Sequence, residues 1–236
     1  MRESLHERYD RDEQRLVATA STELWSDAML DAVVDAAAPL LEAASWREVP
    51  EEAPPRWAQR STAGLALAAM ALRATRTVAL TVRAGYAAEA LGGLRRLFEA
   101  AGHAQRVAED ASGEYAENWL RGHGKAGKPR VAFGPNAEDG PIWSLMSGQA
   151  HAEFAGYVNL CATLDDERRL VHSIGPSRDP FSDSIWLWFA ARQLTRVLAG
   201  LLRVHPQLDD GDFLTAAGPI HAAEAQIEAE IAKREA

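Results

Sequence analysis

YAAEALGGLRRLFEAAGHAQRVAED, residues Tyr86–Asp110, alternates apolar and charged positions at helical spacing. The pattern predicts an amphipathic helix on which Arg95, Glu99 and His103, each four residues from the next, lie in line and touch in succession. Three polar groups in register make either a site or a ladder of ion pairs on a wetted face. Gly92 and Gly93, in the middle of the stretch, each cost a helix roughly 1 kcal/mol against Ala, which marks them as points where another helix comes close.

The chain before this stretch reads as its partner. Residues Arg56 to Val82 form a long Ala- and Leu-rich helix with Leu65, Ala69, Leu72, Arg76 and Leu80 along one side, and its small residues permit close packing. A turn around Arg83–Gly85 then folds the two helices into an antiparallel hairpin. Further upstream, Trp25, Met29, Ala32, Val33, Ala36 and Leu40 recur at spacings of mostly three and four, giving a helix capped by Ser21 or Thr22, with Pro39 kinking its last turn. REVPEEAPP, from Arg47 to Pro55, is a Pro- and Glu-rich connector, and residues 3–19 are a charged peripheral helix or a frayed end.

Downstream, a short helix around Glu114–Arg121 precedes the loop Gly122–Pro141. There Lys125, Lys128 and Arg130 make a basic patch beside Gly124 and Gly127, either an anion site or a solvated loop. GHGKAGK lacks the spacing and trailing Ser or Thr of a phosphate-binding P-loop. On the next helix, Ile142 to about Val158, Trp143, Ser147, His151, Phe154 and Val158 share a stripe, so Ser147 and His151 need hydrogen-bond partners, for which Arg95 and Glu99 are suitable. CATLDDERRLVHSI, residues Cys161–Ile174, reads as a β-hairpin about Asp165-Asp166. Phe181–Val204 is a strongly apolar core helix, and Asp210–Ala236 is a peripheral one interrupted at Gly218-Pro219.

Composition narrows the function classes. A net charge of -9 over 236 residues, with pI near 5.3, excludes a broad electrostatic footprint for nucleic acid and leaves room only for a local one. The single cysteine, Cys161, excludes an intramolecular disulfide and a thiolate zinc site and suits a reducing compartment. The charged start has no apolar core of signal-sequence length, and the longest uncharged segments fall short of the ~20 residues of a bilayer crossing. A cytoplasmic, soluble protein is expected.

Other chemistries find no support. The one Glu-x-x-His pair, Glu3 and His6, lies in the charged terminus, and a di-iron site needs two. Cys161 has no positioned base, and Ser147 on a helix is unlike a nucleophile elbow.

LRRLFEA at Leu94–Ala100 and LMSGQAH at Leu145–His151, followed by a hairpin and a last core helix, resemble a family of uncharacterised bacterial all-α proteins. That family is marked by an Arg-x-x-x-Glu helix and a Ser-x-x-x-His helix, and its bundle is similar to HEPN nucleotide-binding and ribonuclease domains. The resemblance spans roughly residues 60–205 and implies Arg95, Glu99, Ser147 and His151 as catalytic residues. Arg96 stands where a small residue is more usual. Arg96 and His103 also match the Arg…His spacing of HEPN ribonucleases, but with 22 Arg and seven His about two such matches arise by chance, so the match carries no weight.

The reading is a mainly α, single-domain helical bundle with a small β-hairpin, divided as a peripheral helix over 1–20, the bundle over 21–205 and a peripheral helix over 206–236. Its expected function is that of a HEPN-like protein of bacterial stress or defence, acting on RNA or nucleotides without metal or cofactor. The alternative is a non-catalytic helical scaffold that binds a small molecule or protein partner. Either would be a homodimer, because its apolar faces exceed what one bundle covers.

Overall fold

The computed structural model describes residues 24–122, 162–164, 170–172 and 180–235, with residues 7, 10, 11, 14, 15 and 18 of the N-terminal segment. It is mainly helical. Six helices are described: α1 (Asp27–Ser45), α2 (Trp57–Arg83), α3 (Ala87–Glu109), α4 (Glu114–Leu120), α5 (Pro180–Val204) and α6 (Gly211–Glu235). Two three-residue segments, Ala162–Leu164 and Leu170–His172, run antiparallel with Thr163 opposite Val171. The expected turn at Asp165-Asp166 and the expected helix from Ile142 to Val158 lie outside the described residues, as do Cys161 and the whole loop from 123 to 141.

α2 and α3 form the antiparallel hairpin, joined by a turn in which Gly85 takes φ 85° and its N–H donates to the Val82 carbonyl. Small side chains allow the two axes to come close. A methyl placed on Gly93 would stand 2.7 Å from a methyl of Val78, whereas one on Gly92 would meet no described residue within 4 Å, so among the described residues only Gly93 is a contact point. The face of α2 that enters the core is Ala63, Gly64, Leu67, Ala71, Val78 and Val82. Leu65, Ala69, Leu72, Arg76 and Leu80, expected along one side, lie on a face that is half-buried at Leu65 and Leu72 and exposed at the other three, Leu80 being 55% exposed. The Ala-rich face wins because it brings more backbone-to-backbone contact than Leu side chains would permit. By length and composition α2 could also cross a membrane, but 44% of its apolar window is buried inside the bundle.

α5 is the central helix and touches α1, α2, α3 and α6. Its buried row, Leu187, Ala191, Leu194, Leu198 and Leu201, lies at three- and four-residue spacing. At Gly200 an added methyl would meet the Ala104 backbone carbonyl at 3.0 Å, so α3 and α5 cross nearly in contact. Phe98 packs by Phe189, Ala104 by Gly200 and Glu109 by Arg203, and these pairs advance together, which makes the two helices parallel.

Three local readings need correction. α1 starts at Asp27, not after Ser21 or Thr22, and Ser26 caps nothing: its Oγ donates to the Ser184 carbonyl at 2.6 Å, pinning the start of α1 to that of α5. Pro39 sits inside α1, which continues to Ser45. α6 likewise runs unbroken through Gly218-Pro219, because Trp188 Nε1 donates to the Ile220 carbonyl at 2.9 Å and Phe213, Ile220, Ala223 and Ile227 are buried in the common core.

Candidate functional site

Arg95, Glu99, His103 and Arg106 follow one another along α3 on the side that α4 partly covers. Arg95 Nε donates to Glu99 Oε1 at 3.3 Å, and both side chains are about a third exposed. This is a ladder rung of modest strength, worth about 0.3–0.5 kcal/mol on a helix surface. One turn on, the face changes character. His103 is half-buried, its Nδ1 lies 2.6 Å from Tyr115 Oη, and its ring packs near those of Tyr115 and Trp119. The Arg106 guanidinium stands 5.4 Å over the Tyr115 ring.

The Tyr115 side chain is placed by a local device. Asp110 follows α3, and its carboxylate accepts from Ser112 N–H and Oγ and, at 2.7 Å, from Tyr115 N–H, so it caps the first turn of α4. Against the pull of burial, these hydrogen bonds and the Arg60 charge hold the Asp110 carboxyl below its ordinary value, so the cap stays ionised. Gly113 supplies the left-handed turn at φ 70° that lets seven residues of α4 fold back on α3. Arg60, buried on α2, donates to the Val107 and Ala108 carbonyls at 3.1 and 2.8 Å and closes the end of α3.

Electrostatics then set the protonation states. Burial pushes the His103 imidazole below its ordinary value, Glu99 opposes that shift, and Arg106 reinforces it. Burial raises the Tyr115 phenol, with Arg106 pulling it back. A neutral imidazole is thus hydrogen-bonded to a neutral phenol at pH 7. If Nδ1–H donates to Tyr115, Nε2 is a base; if Tyr115 donates to Nδ1, Nε2–H is a donor.

Of the expected site residues, Arg95 and Glu99 are paired with each other as described. Ser147 and His151, and the basic trio Lys125, Lys128 and Arg130, lie outside the described residues. Sequence reading missed Tyr115, Trp119 and Arg106. The available signal was Asp110-x-Ser112 ahead of an aromatic, a capping pattern that aims Tyr115 back at the helix it follows. Among the described residues no three His, Cys, Asp or Glu side chains gather in a way that could hold a metal ion.

Compared with family models, curated proteins and solved structures, the chain matches none.

Proposed function

We propose that the protein acts on RNA or nucleotide phosphates through the His103 face of α3, as a HEPN-like helical protein of bacterial stress or defence in the cytoplasm. The observation that carries this reading is the neutral, half-buried His103 held by Tyr115 on a face that also bears Arg95 and Arg106. Phosphoryl transfer from an RNA backbone asks for a group that accepts a proton near pH 7 and for fixed positive charge beside the phosphorus. His103 Nε2 takes the ribose 2′-hydroxyl proton as the 2′-oxygen bonds to phosphorus. The bond to the 5′-oxygen breaks, and that oxygen leaves with a proton from solvent. Arg95 and Arg106 face the charge that develops on the phosphate, and Arg96, exposed two turns before His103, widens the positive surface. Ser147 and His151 belong to the proposed catalytic set through their sequence pattern, and Lys125, Lys128 and Arg130 serve as its anion-binding arm.

The rival reading, a dimerising scaffold without catalysis, draws on the outward face of α2, where Met70 and Leu80 are exposed. One experiment separates them. Wild type, His103→Ala and Tyr115→Phe are incubated with mixed RNA in metal-free buffer. The expected result is cleavage by wild type, loss of at least 100-fold in His103→Ala and an altered pH–rate profile in Tyr115→Phe. Absence of cleavage by folded wild type, or cleavage undiminished in His103→Ala, overturns the catalytic reading in favour of the scaffold.

A further inference from the structure

A second concave surface lies at the other side of the Arg60 contact, between the connector after α1 and the chain leaving α5. It encloses about 790 Å³, enough for a ligand of nucleotide size. One wall is Trp57, whose indole N–H donates to the Val204 carbonyl at 3.2 Å, which fixes the ring as a rigid surface. Trp46 also lines it, 82% exposed, the most exposed large apolar side chain among the described residues, whereas Trp57 is 6% exposed. An indole left in water where it lines a cavity is a surface that takes a flat ring by stacking.

The charges lining the cavity limit what that ring can carry. Arg47 and Arg203 both face it, and each is weakly engaged: Arg47 donates to the Gln207 carbonyl at 3.4 Å, and Arg203 approaches Glu109 only to 4.0 Å. A guanidinium has five N–H donors, so most of theirs are unused among the described residues. Glu48 and Glu52 share the lining. Arg60, which also lines it, already donates to two carbonyls. Two open guanidiniums against two carboxylates accept a ligand with one compact anionic group and resist a polyanion, whose further charges would meet the glutamates. α2 adds to the field, because its N-terminal turn opens here without an acidic residue or a side-chain cap.

We propose that the Trp46–Trp57 cavity binds a flat aromatic ring bearing a single phosphate or carboxylate. The ring stacks on Trp46, and Arg47 and Arg203 take the anionic group. This site is distinct from the His103 face and does not depend on its chemistry.

The test is calorimetric titration of the intact chain with four probes: AMP, adenosine, ATP and indole-3-acetate. AMP or indole-3-acetate is expected to bind at least tenfold more tightly than adenosine, with ATP no tighter than AMP. Trp46→Ala and Arg47→Ala, both changing exposed side chains, should weaken that binding tenfold or more while His103→Ala leaves it unchanged. The last arm separates this site from the RNA-cleaving reading, which fails or stands by its own assay. No heat with either AMP or indole-3-acetate at millimolar concentration, ATP binding tighter than AMP, or affinity unaltered in Trp46→Ala and Arg47→Ala overturns the proposal.

Discussion

Gly92 and Gly93 are neighbours on one helix, and substituting each by Ala separates helix propensity from helix packing. In both cases the added methyl removes backbone freedom from the unfolded chain and favours the helix by about 1 kcal/mol. At Gly92 no described residue stands within 4 Å of the new Cβ, so the full gain should appear. For a chain of this size that is a rise in Tm of about 2–4 °C. At Gly93 the new Cβ would lie 2.7 Å from Val78 Cγ2, well inside contact distance, and 3.4 Å from the Ala74 carbonyl oxygen. Val78 is fully buried and branched at Cβ, so its methyl has little freedom to swing aside. Either α2 and α3 part or the valine leaves its rotamer, at about 1–3 kcal/mol. The net for Gly93→Ala is then between neutral and a loss of about 2 kcal/mol, and the two variants should differ by about 1–3 kcal/mol in urea denaturation. Equal stabilisation by both would refute the close approach of α2 to α3 at Gly93.

Two further predictions concern buried charge. His205 is fully buried at the end of α5, and neither ring nitrogen has a hydrogen-bond partner among the described residues; burial above all, and the Arg47 charge with it, holds its imidazole below the ordinary value. The unfolded chain therefore binds a proton that the folded chain refuses, so this stability is present above about pH 6.5 and falls as the pH drops below it. The urea midpoint should fall between pH 7.5 and pH 5, and His205→Leu should flatten the fall; a parallel profile in that variant would count against it. Arg83 donates to buried Asp27 from Nε at 2.9 Å and from Nη2 at 2.5 Å, and Nη2 also reaches Asp31 at 3.0 Å. Arg83→Ala should cost about 2–3 kcal/mol in a thermal melt, less than the ~3–5 kcal/mol of a fully buried pair because Arg83 is a quarter exposed, with part recovered in Arg83→Met combined with Asp27→Leu. A loss below about 0.5 kcal/mol would show that Asp27 finds another partner.

The helices with strong periodicity were legible, and the pairing of α2 with α3 followed from the short link between them. Gly93 was readable as a contact because a glycine inside a helix needs a reason, but the same argument misread Gly92, since propensity carries no direction. The outward turn of Met70 and Leu80 was hidden because α2 is apolar on more than one side, and only tertiary contact decides which side enters the core. The Arg95–Glu99 rung follows from four-residue spacing alone. Tyr115 beside His103 does not, because it requires the left-handed turn at Gly113 and the Asp110 cap together. Arg60 closing α3, Arg83 gripping Asp27 and Trp57 reaching Val204 join positions 47, 56 and 147 residues apart, beyond any periodicity.

The parallel run of α5 beside α3 bears on how the molecule assembles. Gly200 meets Ala104 and Phe189 meets Phe98, so the centre of the bundle is filled by a helix about ninety residues later in the chain than the one it packs against. Helical bundles usually fold fast because their contacts are local, and closing so long a loop carries an entropic cost that neighbouring helices do not incur. α2 and α3 can pair early, but Phe98 and Ala104 meet their partners on α5 only when that helix arrives. During synthesis the hairpin leaves the ribosome several seconds before its lid does, at ordinary rates of elongation. In that interval it carries an unprotected greasy seam, and chaperone demand should peak there.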